Sequence, residues 1–194
     1  MLWDVAPRAE TESEIKIPVT DIDHVRQRLQ DGDWRLHRAL HREVNVLFDT
    51  PDGDLRRGDA ALRLRRAGTG WTLTYKGRAE YVGGVKSREE LEVEIDDGAV
   101  LAAILLRLGL SPARRYEKDR ETWIRNGVLA ALDHTPIGDF VELEGPAERL
   151  ADTAASLGLD TDRAVERSYP ALWDEYRRRH ADRELPEHMV FGGP

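Results

Sequence analysis

The chain has 194 residues, 40% hydrophobic and 34% charged, with a formal net charge of −8 and no cysteine. The apolar content allows a real core, and the acidic balance argues against a general nucleic-acid or anionic-membrane binder. The lack of cysteine excludes a disulfide framework and a thiolate metal site. No apolar run marks a signal peptide or a membrane span, since the longest, Val100 to Leu106, is short and ends at Arg107. A single cytoplasmic domain over residues 1–194 is the expectation, with its core at about 9–178.

Residues 1–8 read as a loose leader. The first strand is expected from Glu10 to Ile17, with Pro18 ending it. Within it, alternation puts Glu12, Glu14 and Lys16 on one face and Ser13, Ile15 and Ile17 on the other. Two carboxylates on one face repel each other unless a cation lies between them, and a hard divalent ion held by oxygen is the natural candidate. The lysine beside them points to an anion at the same site. Thr20 or Asp21 then caps a helix carrying Ile22, Val25 and Leu29, and Gly32 ends it.

Strands follow at Leu36 to Phe48, Ala61 to Arg66 and Trp71 to Lys76, with turn chemistry at 49–53 and a hairpin loop at 67–70. Lys86 to Ile95 alternates sharply, with Arg88, Glu90, Glu92 and Glu94 on one face. Asp96 or Asp97 caps a helix with Leu101, Ile104, Leu105 and Leu108 on a stripe, stopped at Gly109. Arg114 to Arg125 and Val128 to Asp133 flank Asn126-Gly127, the strongest hairpin signal in the chain, and Phe140 to Glu144 is the eighth strand. Gly145-Pro146 opens a helix carrying Leu150, Ala154 and Leu157, which ends at Gly158. Tyr169 to Arg178 is the last helix, and the tail from about Ala181 reads as weakly structured. A faint repeat runs through the chain: three times, a strand with alternating carboxylates leads straight into a helix.

Eight strands joined mostly by hairpins imply an α+β fold built on a closed antiparallel barrel with helices packed outside. One charged strand face ordinarily points at water. Here the charges are sorted: Arg63, Arg65, Lys76, Lys118 and Arg120 make basic faces, while Glu12, Glu14, Glu142 and Glu144 make acidic ones. The helices need aliphatic surface to cover. Both facts favour a tunnel with the charges inside. A basic wall holds a polyanion through paired guanidinium contacts, an acidic wall holds Mg²⁺ or Mn²⁺, and together they imply a polyphosphate ligand.

The order and spacing of these motifs resemble the CYTH superfamily, the triphosphate tunnel metalloenzymes, which include class IV adenylyl cyclases, thiamine triphosphatases and inorganic triphosphatases. Glu12, Glu14 and Lys16 match its E-x-E-x-K hallmark. Leu62-Arg63-Leu64-Arg65 is similar to its paired-arginine strand, and Leu73-Thr74-Tyr75-Lys76-Gly77 to its lysine strand. Ser87 to Glu90 and Tyr116 to Arg120 fall where further basic strands are expected, and Asp133 with Gly138 to Glu144 resembles the closing metal segment. The resemblance implies that Glu12, Glu14, Asp133, Glu142 and Glu144 bind one or two divalent ions. It implies that Lys16, Arg63, Arg65, Lys76, Arg88, Lys118 and Arg120 hold the triphosphate, with Glu14, Lys76 and Arg120 in catalytic roles. Arg163 and Arg167 both remain open as a further cation. His134 reads as structural, His37 and His41 as exposed, and Trp71, Tyr75 and Trp123 as core under the helices.

The expected activity is metal-dependent hydrolysis of a small triphosphate. Cyclisation of ATP is the alternative, which needs an adenine pocket besides, and a non-enzymatic triphosphate or polyphosphate binder comes third. No Ser/His/Asp or Cys/His constellation is apparent. The partner is a small molecule, not nucleic acid or membrane, and a homodimer through apolar surface that no helix covers is possible.

Overall fold

The computed structural model describes residues 10–192. Its elements are β1 (Glu10–Val19), α1 (Ile22–Asp31), β2 (Arg35–Asp49), α2 (Asp54–Arg57), β3 (Ala61–Ala67), β4 (Gly70–Val82), β5 (Val85–Ile95), α3 (Gly98–Arg107), β6 (Ser111–Arg125), β7 (Val128–Thr135), β8 (Gly138–Glu144), α4 (Ala147–Ser156) and α5 (Tyr169–Arg179), with a 3-10 turn at Thr161–Arg163. The strands pair antiparallel in the order β1-β5-β4-β3-β2-β6-β7-β8, and β8 closes on β1. This is the eight-stranded antiparallel barrel expected from the strand patterns.

The inverted barrel also holds. Ile15 and Ile17 of β1, Ala130 and Leu132 of β7, and Val141 and Leu143 of β8 are buried outside the barrel wall, beneath Val25 and Leu29 of α1, Leu150 and Ala154 of α4, and Leu157 just past its end. Each Val, Leu or Ile among them contributes roughly 1.5–3 kcal/mol by leaving water. Phe48 and Leu64 form a second outer core beneath Leu105 of α3. Gly98 lets α3 start flush on the barrel, since a Cβ there would lie 2.2 Å from the Trp71 ring. Asp21 caps α1 and Asp97 caps α3, each accepting from backbone N–H groups of the first turn. A third core joins Tyr116 and Phe140 of the barrel to Tyr169 and Trp173 of α5 and to Met189.

The structure departs from expectation in several places. Pro18 does not end β1, which runs to Val19. β5 pairs only with residues 10–14, so the second half of β1 has an open edge where a missing N–H is tolerated. β4 continues past Lys76 through a bulge, making a long hairpin with β5. A single helical turn, α2, follows the predicted turn at 49–53, because the Asp49 carboxylate accepts from the N–H groups of Leu55 and Arg56. His41 is not exposed: its side chain lies in the tunnel phase, 3.7 Å from Glu43. The first eight residues lie outside the described range.

The tail also differs from its reading. It has little regular structure, yet it is docked. β7 pairs with β6 only from Asp119 onward, which leaves one edge of residues 111–118 free. Met189 fills that edge: its N–H donates to Arg115 O at 3.2 Å, and its carbonyl accepts from Glu117 N at 2.8 Å. Met189 is 1% exposed. The open edge of β1 is closed in the same manner by residues 164–168. Val165 N donates to Lys16 O at 2.8 Å, and the Tyr81 hydroxyl donates to Glu166 O at 3.1 Å. Two segments beyond the last strand thus seal two seams in the barrel wall.

Candidate functional site: a charge-lined tunnel

Alternation along the strands, fixed in register by the outer cores, turns the charged faces inward. All seven cations predicted to bind an anion line one cavity of about 1170 Å³, and Lys86 joins them. Sequence reading passed over Lys86, although it lies in phase with Arg88 and Glu90. Of the predicted metal ligands, Glu12, Glu14, Glu142 and Glu144 line the same cavity, as does Glu90. The acidic wall is therefore three adjacent strands, β5, β1 and β8, and the guanidinium groups of β3 and β6 complete the ring.

Asp133 does not stand with the other carboxylates. It is fully buried, off the cavity wall. Its Oδ1 accepts from Arg120 Nε at 2.6 Å, and its Oδ2 from Arg120 at 2.6 Å, Lys118 Nζ at 2.9 Å and the Tyr169 hydroxyl at 2.6 Å. Its oxygens are thus already paired with two cations and a phenol, and Asp133 holds the cations from behind. Glu43 acts alike: it is 2% exposed, 3.3 Å from Arg65 and 3.8 Å from Lys118. Burial pushes its pKa up, but Lys118, Arg120 and Arg65 outweigh that and hold it well below the usual carboxylate range. Arg63 donates to Thr74 Oγ1 at 3.1 Å, which donates on to Glu92 at 2.8 Å, and Arg65 donates to Asn45 at 3.1 Å. These partners fix the side chains that face the cavity. Tyr116 lies on the same wall. Burial raises its hydroxyl, yet Arg63, Lys118 and Arg65 more than offset this and lower its pKa.

The acidic wall is the unsettled part of the ring. Glu14 and Glu144 are direct cross-strand neighbours, an unfavourable pairing of like charges. The Glu12 carboxylate shares protons with Glu90 and Glu144. Burial and then Glu12 push Glu144 up to about 8, and burial and the Glu12 hydrogen bond push Glu90 up to about 7. Burial would raise Glu12 as well, but the hydrogen bond with Glu90 and the charge of Lys76 bring it down to about 2. Glu12, Glu90 and Glu144 thus crowd a position that suits a cation. The donors are all carboxylate oxygens, which fit a hard divalent ion. Among the described residues no three acidic or histidine side chains already stand in ligating geometry. Glu14 accepts from Lys86 at 2.6 Å, and Glu142 is taken by Arg120 and by Lys16 at 3.2 Å, so ion binding requires these carboxylates to exchange partners.

The remaining expectations sort simply. His134 bonds to Asp139 at 2.5 Å outside the tunnel, which fits a structural role. Trp123 is buried under the α1/α4 layer. Arg167 turns its side chain to Glu175 but gives its carbonyl to Lys16 Nζ at 3.1 Å. The chief residue missed by sequence reading is Tyr169, whose ring lies 4.2 Å from Lys16 Nζ and 5.0 Å from Lys118 Nζ. Its only sequence signal was its position at the start of a helix.

An antiparallel barrel closed around inward-facing cations, with carboxylates grouped on one wall, defines a charge-lined tunnel protein. The chain belongs to the CYTH family: the CYTH domain model matches residues 10–169. It is 28% identical over 173 residues to a Methanocaldococcus jannaschii protein named as a candidate adenylate cyclase, covering 83% of this chain and 97% of that one. The X-ray structure of a Vibrio parahaemolyticus protein, also named as a candidate adenylate cyclase, superposes with a TM-score of 0.78 at 19% identity, covering 86% of this chain and 99% of that one. A Hippeastrum protein named as a candidate adenylyl cyclase, and described as having a dominant triphosphatase activity, superposes with a TM-score of 0.64 at 19% identity, covering 92% of this chain and 98% of that one. Among the described residues no helix is long and apolar enough to cross a membrane.

Proposed function

We propose that this protein hydrolyses a small triphosphate in its tunnel with a divalent ion, Mg²⁺ or Mn²⁺, as cofactor. The observation that carries this reading is the convergence of cations from five strands on one cavity that is acidic along β5, β1 and β8. Lys16, Arg63, Arg65, Lys118 and Arg120 grip the phosphate oxygens, each held in place by the partners described above. Lys76, bound to Glu90 and 3.5 Å from Glu12, lies where the two walls meet. Lys76 and Arg120 stabilise charge that develops during phosphoryl transfer. Glu12, Glu14, Glu144 and, on release from its cations, Glu142 hold the ion. When bound, the ion neutralises phosphate charge and lowers the pKa of a water molecule. Asp133 is left out of the ligand set because it is buried off the cavity wall and already paired with Lys118 and Arg120.

Hydrolysis needs only this grip and a placed water. Cyclisation of ATP is the second reading, favoured by the name of the M. jannaschii relative. The two separate in one matched assay of tripolyphosphate, thiamine triphosphate and ATP with Mg²⁺ or Mn²⁺, scoring phosphate and cyclic AMP independently. Phosphate release without cyclic AMP is the expected result. Cyclic AMP with pyrophosphate from ATP makes the protein a cyclase, and binding without turnover makes it a carrier.

The proposal extends to a cytoplasmic homodimer. α3 has no ionisable side chain before Arg107. Four of the nine exposed large hydrophobic residues among those described, Val100, Ile104, Leu106 and Leu108, lie on it or at its C-terminus. A helix that is apolar all round is ordinarily buried. A second copy is the fitting cover, since the patch carries no charge from Gly98 to Leu106 that would repel its own image.

A further inference from the structure

Tyr169 is the residue at which the family match ends, and it touches three parts of the anion grip at once. Its ring provides the face on which the Lys16 and Lys118 ammonium groups rest, at cation–π distances. Its hydroxyl donates to Asp133 Oδ2, the same oxygen that receives Lys118. Burial, and then the nearby charges of Asp133 and Glu142, keep the phenol protonated well above its ordinary range, so it remains a donor. By taking part of the Asp133 charge, the hydroxyl weakens the pull of that carboxylate on Lys118. The ring keeps both ammonium groups from folding away from the cavity.

The position of Tyr169 depends in turn on chain that follows it. Its ring meets Phe140 edge-on at 5.4 Å and lies 6.1 Å from Tyr116. Met189 belongs to the same buried cluster and is pinned to β6 by its backbone. Trp173, one turn along α5, donates its indole N–H to the carbonyls of Pro186 and Glu187 at 3.2 Å. Phe191 stacks on His134 and lies 4.0 Å beneath Arg42. Residues 185–191 therefore strap α5 onto the barrel.

We propose that Tyr169 is a positioning residue for Lys16 and Lys118, and that the strap at 185–191 acts on the tunnel through it. This rests on the reading of the cavity as a triphosphate site only for the identity of the ligand. A tyrosine that merely filled the third core would show no preference for these two lysines and would tolerate loss of its hydroxyl.

The test uses the full chain carrying Tyr169→Phe or Met189→Ala, each compared with the parent by circular dichroism to verify folding. In the absence of ligand, amine-reactive labelling of Lys16 and Lys118 is read by peptide mass spectrometry. In parallel, tripolyphosphate binding is measured by calorimetry with EDTA, and its hydrolysis with Mg²⁺. Loss of one charged hydrogen bond corresponds to about a tenfold effect or more. In Tyr169→Phe, labelling of Lys118 is expected to fall by about that factor, because Asp133 then holds its ammonium more firmly, and Kd and KM to rise by a similar amount while kcat stays within about twofold; in Met189→Ala, which frees the ring, labelling of both lysines is expected to rise. A purely structural defect instead lowers kcat with the folded fraction and leaves KM unchanged. Unchanged labelling and unchanged Kd in Tyr169→Phe overturn the proposal, whether or not Met189→Ala folds. If the parent protein binds no tripolyphosphate, the triphosphate reading falls, and the labelling alone decides the role of Tyr169.

Discussion

Replacing Asp133 with asparagine separates two roles that one carboxylate can have in such a tunnel. The side chain keeps its shape but loses the charge that faces Lys118 and Arg120, both nearly buried. Removing one partner of a buried ion pair costs about 3–5 kcal/mol, because the other charge is left uncompensated. Here the loss is softened, since Glu142 remains beside Arg120 and lies 3.6 Å from Lys118, and Glu43 lies 3.8 Å from Lys118. A loss of about 2–4 kcal/mol is the resulting expectation, or a fall in melting temperature of roughly 5–15 °C for a chain of this size. Equilibrium urea unfolding measures the first quantity and calorimetry the second. Tripolyphosphate should restore more stability to Asp133→Asn than to the parent, because the anion supplies the missing counter-charge. Mg²⁺ affinity measured without substrate should change little. If stability holds within about 1 kcal/mol while Mg²⁺ affinity falls tenfold or more, Asp133 is an ion ligand and the account of it as a clamp is wrong.

Three further outcomes follow from the same geometry. Glu14→Gln should lower metal-dependent turnover by about a hundredfold or more while leaving the urea midpoint almost unchanged, since its partner Lys86 is also within reach of solvent; full activity in that variant would remove Glu14 from the reaction. Glu144 and Glu90 are raised to about 8 and about 7, so the folded protein holds protons that the unfolded chain releases. Stability without metal should therefore decline as pH rises from 6 through 8.5, Mg²⁺ should reverse the decline, and Mg²⁺ affinity should strengthen over the same interval; a melting temperature flat in pH would contradict the shared-proton account. The depressed Glu12, at about 2, acts only in acid and does not enter this window. Ile104→Glu should convert a dimer in sedimentation equilibrium to monomer with the fold intact, and a parent protein that is monomeric at tens of micromolar would exclude the dimer.

Strand alternation made much of this site legible. Once Ile15 and Ile17 are assigned to a helix-covered face, Glu12, Glu14 and Lys16 have one place to go, and the same logic covers Arg63 with Arg65 and Lys118 with Arg120. The sequence pattern does not carry register between distant strands. Asp133 looks like its acidic neighbours until pairing sets it against Arg120, and only then is it a clamp. Tyr169 and Met189 were hidden for another reason. They act as single contacts at seams, where no periodicity repeats and burial comes from tertiary closure alone. Pro18 misled because a proline usually ends a strand, and the rule relaxes where one edge has no partner strand.

The two seams also bear on how the protein reaches its folded state. β1 has neighbours in β5 and β8, so it cannot be satisfied until chain more than a hundred residues away has been made and has found its place. Closing loops of that length is slow, and topologies rich in distant pairings fold in milliseconds to seconds. During that interval the E-x-E-x-K strand has two unpaired edges and charges with no counterpart. Its own repulsion then protects it against parallel in-register pairing, in which identical strands on neighbouring nascent chains would bring glutamate against glutamate. The carboxylates that crowd one wall of the finished tunnel serve earlier as a guard against wrong partners.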